Sequence, residues 1–245
     1  MIIGALALRL AIGSGGGAED AQGAVEIIGH QPFGRVVLAV LALGFFSHTL
    51  WRMMQAVLDA DELGSSVAGL SRRIMYGGLG VAYAVLGWIA AKFALLGEKP
   101  EESGGEHAQS MTAELLSLPF GAALVTGAGI IFAAMGIWRL KQAFKADFMQ
   151  ELNASKMSLG EKRVANVIGR FGLASRAVTY GIIGWFLVEA ARQRDPGEAR
   201  GLREALLEIV RQPYGPTLLS VVAAGLGAYG LHCLVQARYR HLHTV

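Results

Sequence analysis

The sequence predicts an all-α integral membrane protein: a six-helix bundle of three parallel two-helix hairpin repeats, with the first helix truncated at its N-terminal end. Three observations predict it. The 245 residues are 53% hydrophobic and only 17% charged, against about a quarter charged in a soluble protein, and mean hydropathy is +0.43. The charges are also segregated: residues 36–51, 74–91, 115–138 and 212–237 contain no Asp, Glu, Lys or Arg. The last two exceed the roughly 20 residues that cross a bilayer, and the first two reach that length with their flanks. A further segment, 171–191, is apolar except for Arg176 and Glu189. Third, the pattern repeats.

The opening "MIIGALALRLAIG" has 13 residues and carries Arg9. As a helix it rises about 20 Å, against a hydrocarbon core of about 30 Å. It lacks the basic n-region of a signal peptide, and its arginine lies within the apolar run. "MIIG" aligns with "GIIG" at 181–184, which sets Gly4 opposite Gly184. The expectation is therefore a span entered part-way, its first half missing either because a start codon was assigned too late, the favoured reading, or because the protein has lost half a span.

Three stretches match without gaps: "QPFGRVVLAVLALGFFSHTLWRMMQA" from Gln31, "LPFGAALVTGAGIIFAAMGIWRLKQA" from Leu118 and "QPYGPTLLSVVAAGLGAYGLHCLVQA" from Gln212. Each has Pro-aromatic-Gly near its start: Pro32-Phe33-Gly34, Pro119-Phe120-Gly121 and Pro213-Tyr214-Gly215. Nineteen residues after the proline come Trp51, Trp138 and His232, and twenty-three after it come Gln55, Gln142 and Gln236. The helices before them align "SRRIMYGGLG" (71–80) with "SRAVTYGIIG" (175–184). That register pairs Gly77 with Gly181 and Gly80 with Gly184. Glycines at matching positions permit close helix approach, so these four are expected to face neighbouring helices. The repeats are placed at 1–58, 70–146 and 158–240.

"QPFGRVVLAVLALGFFSHTLWR" (31–52), with an Arg-x-x-x-Tyr segment and spaced glycines before it in the other repeats, resembles the bacterial membrane proteins of domain of unknown function 1206. The resemblance implies a two-helix hairpin present three times, over nearly the whole chain. It implies no activity. Departures are the missing half-helix, Glu189 where repeat 1 has Arg9, and His232-Cys233 where the other repeats have Trp-Arg.

Orientation follows from charge. Segments 52–73, 139–176 and the C-terminal tail hold 13 Lys and Arg against 6 acids; segments 13–35, 92–118 and 189–211 hold 8 against 13. The positive-inside rule makes the first set cytoplasmic. The chain is expected in the cell (inner) membrane, multi-pass, with both termini cytoplasmic. The net charge of +3 and the absence of a basic, aromatic-studded patch argue against nucleic acid. The lone Cys233 allows no intrachain disulfide.

Before each hairpin proline lies a short amphipathic segment, as in "LREALLEIVRQP", where Leu202, Ala205, Leu206 and Ile209 share a helix face. Proline is expected in the first turn of the helix that follows. In the long cytoplasmic link, Ser158 and Glu161 fit a capping box. Val164, Val167, Ile168 and Phe171 then form a stripe flanked by Lys162, Arg163 and Arg170. Segment 158–171 reads as a lead-in to the fifth span, and also as a basic interfacial helix able to bind anionic lipid.

Chemistry is sparse. "GLGAYG" (225–230) sits in an uncharged run, without the strand a dinucleotide fingerprint needs. Its glycines, with Gly127, Gly129 and Gly136, are read as helix-packing residues. "NAS" at 153–155 fits a glycosylation sequon on the expected cytoplasmic side. No catalytic set, metal site or cofactor motif is found. The candidate intramembrane polar cluster is Arg9, His48, Gln55, Gln142, Glu189, His232 and Gln236, since polar groups in lipid are functional candidates by default. Arg9 and Glu189 occupy one aligned position, with Val85 in repeat 2, and could pair or snorkel outward. Trp51, Trp138, Tyr76 and Tyr180 fit an aromatic belt.

Three functions follow. A non-enzymatic interaction or scaffold protein is favoured by the lack of a catalytic set. A channel or carrier for a small solute or ion requires the polar cluster to share one cavity. A haem protein would use His48 and His232.

Overall fold

The computed structural model describes residues 1–14, 17–61, 64–97, 104–153 and 157–239. The sequon residues Ala154 and Ser155, and the link and tail cations Lys156 and Arg240, lie outside the described residues. Helices come in three sets of three, long-short-long in the second and third and short-short-long in the first: α1 (Ile2–Ala11), α2 (Ala21–Gly29), α3 (Gly34–Val57); α4 (Val67–Leu96), α5 (Gly104–Ser117), α6 (Gly121–Lys145); α7 (Leu159–Gln193), α8 (Leu202–Arg211), α9 (Gly215–Tyr239). Among the described residues there is no β-strand. The helices α3, α4, α6, α7 and α9 are long and apolar enough to cross a membrane, whereas α1 has 10 residues. Of the six spans expected, five are long apolar helices; the sixth segment, α1, is a shorter apolar helix.

The Pro-aromatic-Gly motif makes the corner between each short helix and the long helix after it. Phe33, Phe120 and Tyr214 are left-handed, with φ of 62°, 65° and 62°. The Gly34 N–H donates to the Gln31 carbonyl at 2.8 Å, Gly121 to Leu118 at 2.9 Å, and Gly215 to Gln212 at 2.8 Å. Proline at the second position, positive φ at the third and a closing bond at the fourth define a type II turn. The proline therefore precedes the helix instead of sitting in its first turn. Its fixed φ suits the second turn position. A Cβ on Gly34, Gly121 or Gly215 would lie 2.0, 2.1 or 1.9 Å from a carbonyl oxygen of the short helix before it. Only glycine lets the chain fold back that tightly.

The chain forms two compact units: residues 1–20 with 104–245, and residues 21–103. In the second, α3 packs along α4, with α2 against both. In the first, α6 packs along α7, α7 along α9, and α9 along α1. The pairs α3–α4, α6–α7 and α9–α1 are all of one kind. Each joins the last helix of one repeat to the first helix of another: α3 to α4, α6 to α7 and α9 to α1.

These pairs correct the sequence register. A Cβ on Gly4 would lie 2.7 Å from the Ala223 oxygen and 2.6 Å from the Gly227 nitrogen. On Gly184 it would lie 2.7 Å from the Gly129 oxygen and 2.9 Å from the Ala133 nitrogen. Ala223 and Gly129 stand ten residues after their turn prolines, and Gly227 and Ala133 fourteen after. The α4 glycine that meets this level of α3 is Gly87, against Phe45 and Phe46, thirteen and fourteen residues after Pro32. So Gly87, not Gly80, is the counterpart of Gly4 and Gly184, and "YAVLGW" (83–88) matches "YGIIGW" (180–185). The seven-residue shift is nearly two helical turns, which leaves glycines on the same face and hides the error. Gly77 and Gly80 still face α3, a Cβ on them lying 3.7 Å from Ala56 Cβ and 2.8 Å from Met53 Cε. A Cβ on Gly181 or Gly127 would meet nothing within 4 Å, but the Gly181 backbone nitrogen lies 3.4 Å from where a Cβ on Gly136 would be, so Gly181 also sits against α6. The "GLGAYG" glycines are seam residues, Gly225 against Ser175, Gly227 against Gly4 and Gly230 against Met1.

The capping box forms as read: Glu161 N–H donates to Ser158 Oγ at 3.2 Å, and Ser158 N–H to Glu161 Oε2 at 2.8 Å. Helix α7 then runs unbroken for 35 residues, about 52 Å. Segment 158–171 is the leading end of a span, not a separate helix lying flat. In α8, Ala205, Leu206 and Ile209 are buried, as the amphipathic spacing requires. On α3 the stripe Val36, Val40, Leu43, Leu50 and Val57 is 63–69% exposed, a face suited to lipid.

Candidate functional site

The polar residues of the long helices gather at the ends away from the Pro-aromatic-Gly turns. Two of these helices carry Arg-x-x-Gln, Arg52/Gln55 on α3 and Arg139/Gln142 on α6. Residues three apart are neighbours on a helix surface, and both pairs form the same fork. Arg52 Nη1 donates to Gln55 Oε1 at 3.0 Å, and Arg139 Nη1 to Gln142 Oε1 at 2.9 Å.

On α3 the fork is fully engaged. Gln55 is buried, and its Nε2 donates to Asp61 Oδ2 at 2.9 Å. Arg52 Nε donates to His48 Nε2 at 3.3 Å. The guanidinium also lies 5.1 Å from the Tyr76 ring centre, while His48 meets Tyr83 edge-on at 4.4 Å.

On α6 the fork faces a cavity of about 50 Å³, lined by Arg139, Gln142, Phe148, Leu173, Tyr229, His232 and Gln236. Three members of the predicted polar cluster, Gln142, His232 and Gln236, therefore share one cavity. His232 is 2% exposed, edge-on to Phe148 at 4.9 Å, and its Nδ1 has no hydrogen-bond partner among the described residues. Beside the cavity, Arg176 lies between two rings, 4.8 Å from Tyr180 and 4.7 Å from Tyr229, and donates to the Tyr180 hydroxyl. Tyr229 can reach this wall because Gly172 of α7 sits against the Tyr229 backbone, 2.6 Å from where a Cβ would be.

The other cluster members lie elsewhere. His48 and Gln55 belong to the α3 fork. Glu189 pairs with Arg192, Nε to Oε2 at 3.0 Å, and also accepts from Gln193; Arg9 is exposed, so the Arg9–Glu189 pair is not formed. An arginine three residues away on the same helix outcompetes one that must cross between helices. Glu189 lines a second cavity of about 580 Å³ with Trp185, Phe186, Glu198, Arg200 and Glu208. In the corrected register the repeat 2 counterpart of Arg9 and Glu189 is Lys92, not Val85. Tyr76 and Tyr180 are arginine-stacking partners more than belt residues, whereas Trp51 and Trp138 are 49% and 57% exposed, as a belt requires. Sequence reasoning passed over Arg139, Arg52, Asp61 and Phe148. The signal was available for the first two, since "LWRMMQ" and "IWRLKQ" put Arg-x-x-Gln at one offset twice. Among the described residues no group of three His, Cys, Asp or Glu is arranged to hold a metal ion.

Long apolar helices, three sets that each end in Pro-aromatic-Gly and a long helix, and glycine seams define a polytopic α-helical membrane protein in contact with lipid. The family described as Domain of Unknown Function (DUF1206) matches residues 1–59, 74–146 and 171–240. The chain belongs to that family. It is 33% identical over 244 residues to the uncharacterized protein YxxB of Bacillus subtilis (strain 168), covering 99% of this chain and 86% of that one. No solved structure matches it.

Proposed function

We propose that this protein is a non-catalytic interaction scaffold of the bacterial cell membrane, with both termini cytoplasmic. The observation that carries the reading is the pair of backbone-level seams, Gly4 on Ala223/Gly227 and Gly184 on Gly129/Ala133. Such seams hold helices rigidly by packing. On α3 an apolar stripe is left exposed for lipid or a partner helix. The Lys and Arg distribution supports the orientation. Val164 and Val167, 55% and 62% exposed, stand beside exposed Arg163 and Arg170 and support contact between segment 158–171 and anionic lipid. A photo-crosslinking residue at Val40, used in intact cells, is expected to trap a discrete protein partner. Proteoliposomes are expected to pass no more solute than empty vesicles. Solute flux that depends on Arg139, without a trapped partner, would overturn the reading.

A channel or carrier is the second reading. What favours it is the convergence of Arg139, Gln142, Tyr229, His232 and Gln236 on one cavity. For haem no observation speaks: the His48 Nε2 that would bind iron already accepts from Arg52.

A further inference from the structure

The α3 and α6 forks differ at one position. Asp61 and Phe148 both stand twenty-nine residues after their turn prolines; Asp61 accepts from the fork glutamine Gln55, whereas Phe148 lines the cavity that Gln142 also lines. On α3 the residue at this offset is a carboxylate, which accepts the free amide hydrogens of Gln55. On α6 it is Phe148, 2% exposed, and it accepts nothing. Gln142 Oε1 is turned to Arg139, so its NH₂ points its donors away from the fork, as an amide must when its oxygen is engaged. The cavity wall carries one permanent cation, Arg139, and no carboxylate. Its remaining polar groups are the Gln142 and Gln236 amides, the Tyr229 hydroxyl and His232, whose buried Nδ1 is unpartnered.

We propose that this cavity binds a phosphate group, which supplies to the α6 fork the anionic oxygens that Asp61 supplies to the α3 fork. Guanidinium, two amides, a phenol and an imidazole offer more donors than one carboxylate takes up. A phosphate group, with three or more acceptor oxygens, matches them. A volume of about 50 Å³ holds a few water-sized occupants, which suits a single phosphate group and excludes a nucleotide. The phosphate can be free inorganic phosphate or the headgroup of an anionic phospholipid, because basic pockets between membrane helices take such headgroups. The inference does not rest on the scaffold reading: a scaffold without the site, or a carrier with it, remains consistent.

The test is binding by the full chain in nanodiscs of phosphatidylcholine, titrated with inorganic phosphate at constant ionic strength. A parallel arm uses nanodiscs containing phosphatidylglycerol, with retained lipid counted by native mass spectrometry. Saturable binding of one phosphate per chain is expected, or one retained phosphatidylglycerol that excludes phosphate. Either should weaken about tenfold or more in Arg139→Gln, since hydrogen bonds to charged groups are the strong ones. Phe148→Asp, which installs the α3 arrangement, should weaken it similarly. Should both variants fail to fold, wild-type binding decides: one saturable site supports the proposal. Neither ligand binding the wild type, or equal binding in folded Arg139→Gln, overturns it.

Discussion

Two arginine–glutamine forks share one local geometry and end differently. On α3 the chain Arg52, Gln55, Asp61 closes on its own carboxylate, with His48 and Tyr76 also held by Arg52. On α6 the fork runs from Arg139 to Gln142, and at the offset of the acid stands aromatic Phe148, which lines the cavity. The repeat thus fixes where the donors point, while a single residue decides whether the acceptor comes from the chain. A structural ion-pair network and a ligand site can be the same element with one side chain exchanged.

The helix pairs that carry the forks differ as well, and this gives the largest expected effect. At Gly184 an added Cβ meets backbone atoms 2.7 and 2.9 Å away, which cannot move without separating α6 from α7. At Gly87 it meets the Phe46 ring at 3.2 Å and Phe45 Cβ at 3.3 Å, side-chain atoms that can shift slightly. Gly184→Ala is expected to cost about 2–3 kcal/mol, the upper part of the overpacking range. Gly87→Ala should be near neutral, because alanine's helix propensity, worth about 1 kcal/mol over glycine, offsets the crowding. Thermal unfolding in detergent measures both. Equal losses would break the distinction between a backbone seam and a side-chain seam.

Asp61→Ala should cost about 1–2 kcal/mol, because buried Gln55 loses the acceptor for its NH₂. Asp61→Asn keeps an oxygen there and should cost less. If alanine and asparagine behave alike, the α3 fork is not closed by Asp61.

The smallest effect is expected where the two regions are alike. Phe33→Gly and Phe120→Gly each relieve a left-handed aromatic residue, a gain of about 1 kcal/mol. Each also adds the chain entropy of glycine, which costs about as much. Both variants should stay within about 0.5 kcal/mol of wild type and of each other, by the same unfolding measurement. A large loss at only one would show that the turns are not equivalent.

Much of the architecture was legible because it rests on spacing. Charge-free runs gave the long helices, the amphipathic segment before each proline gave a short one, and Ser158-x-x-Glu161 gave a cap. The register of α4 was not legible: a seven-residue slip returns to the same helix face, so "YGGLG" and "YAVLGW" both offer a glycine to α3. Half of the candidate site was legible. Gln142, His232 and Gln236 stood out as polar groups in apolar helices, and they do share a cavity. Arg139 and Phe148 did not, since an arginine near a helix end reads as a topology signal and a phenylalanine as packing. Their meaning appears only when Phe148 is set beside Asp61 on the sister fork. Of the two readings of Arg9 and Glu189, pairing is the one not formed, because spacing along one helix brings Arg192 to Glu189 first.

Arg52 acts as a structural hub, while its counterpart Arg139 is held through the Gln142 amide and is left available to a ligand. The most direct measurement compares the thermal midpoints of Arg52→Gln and Arg139→Gln with wild type, in phosphatidylcholine nanodiscs without phosphate. Arg52 holds His48, Gln55 and the Tyr76 ring, and Asp61 through Gln55; among the described residues Arg139 has one hydrogen-bond partner, Gln142. Arg52→Gln is expected to lower the midpoint well below wild type, while Arg139→Gln stays close to it. Equal losses, or a greater loss at Arg139, would contradict that difference.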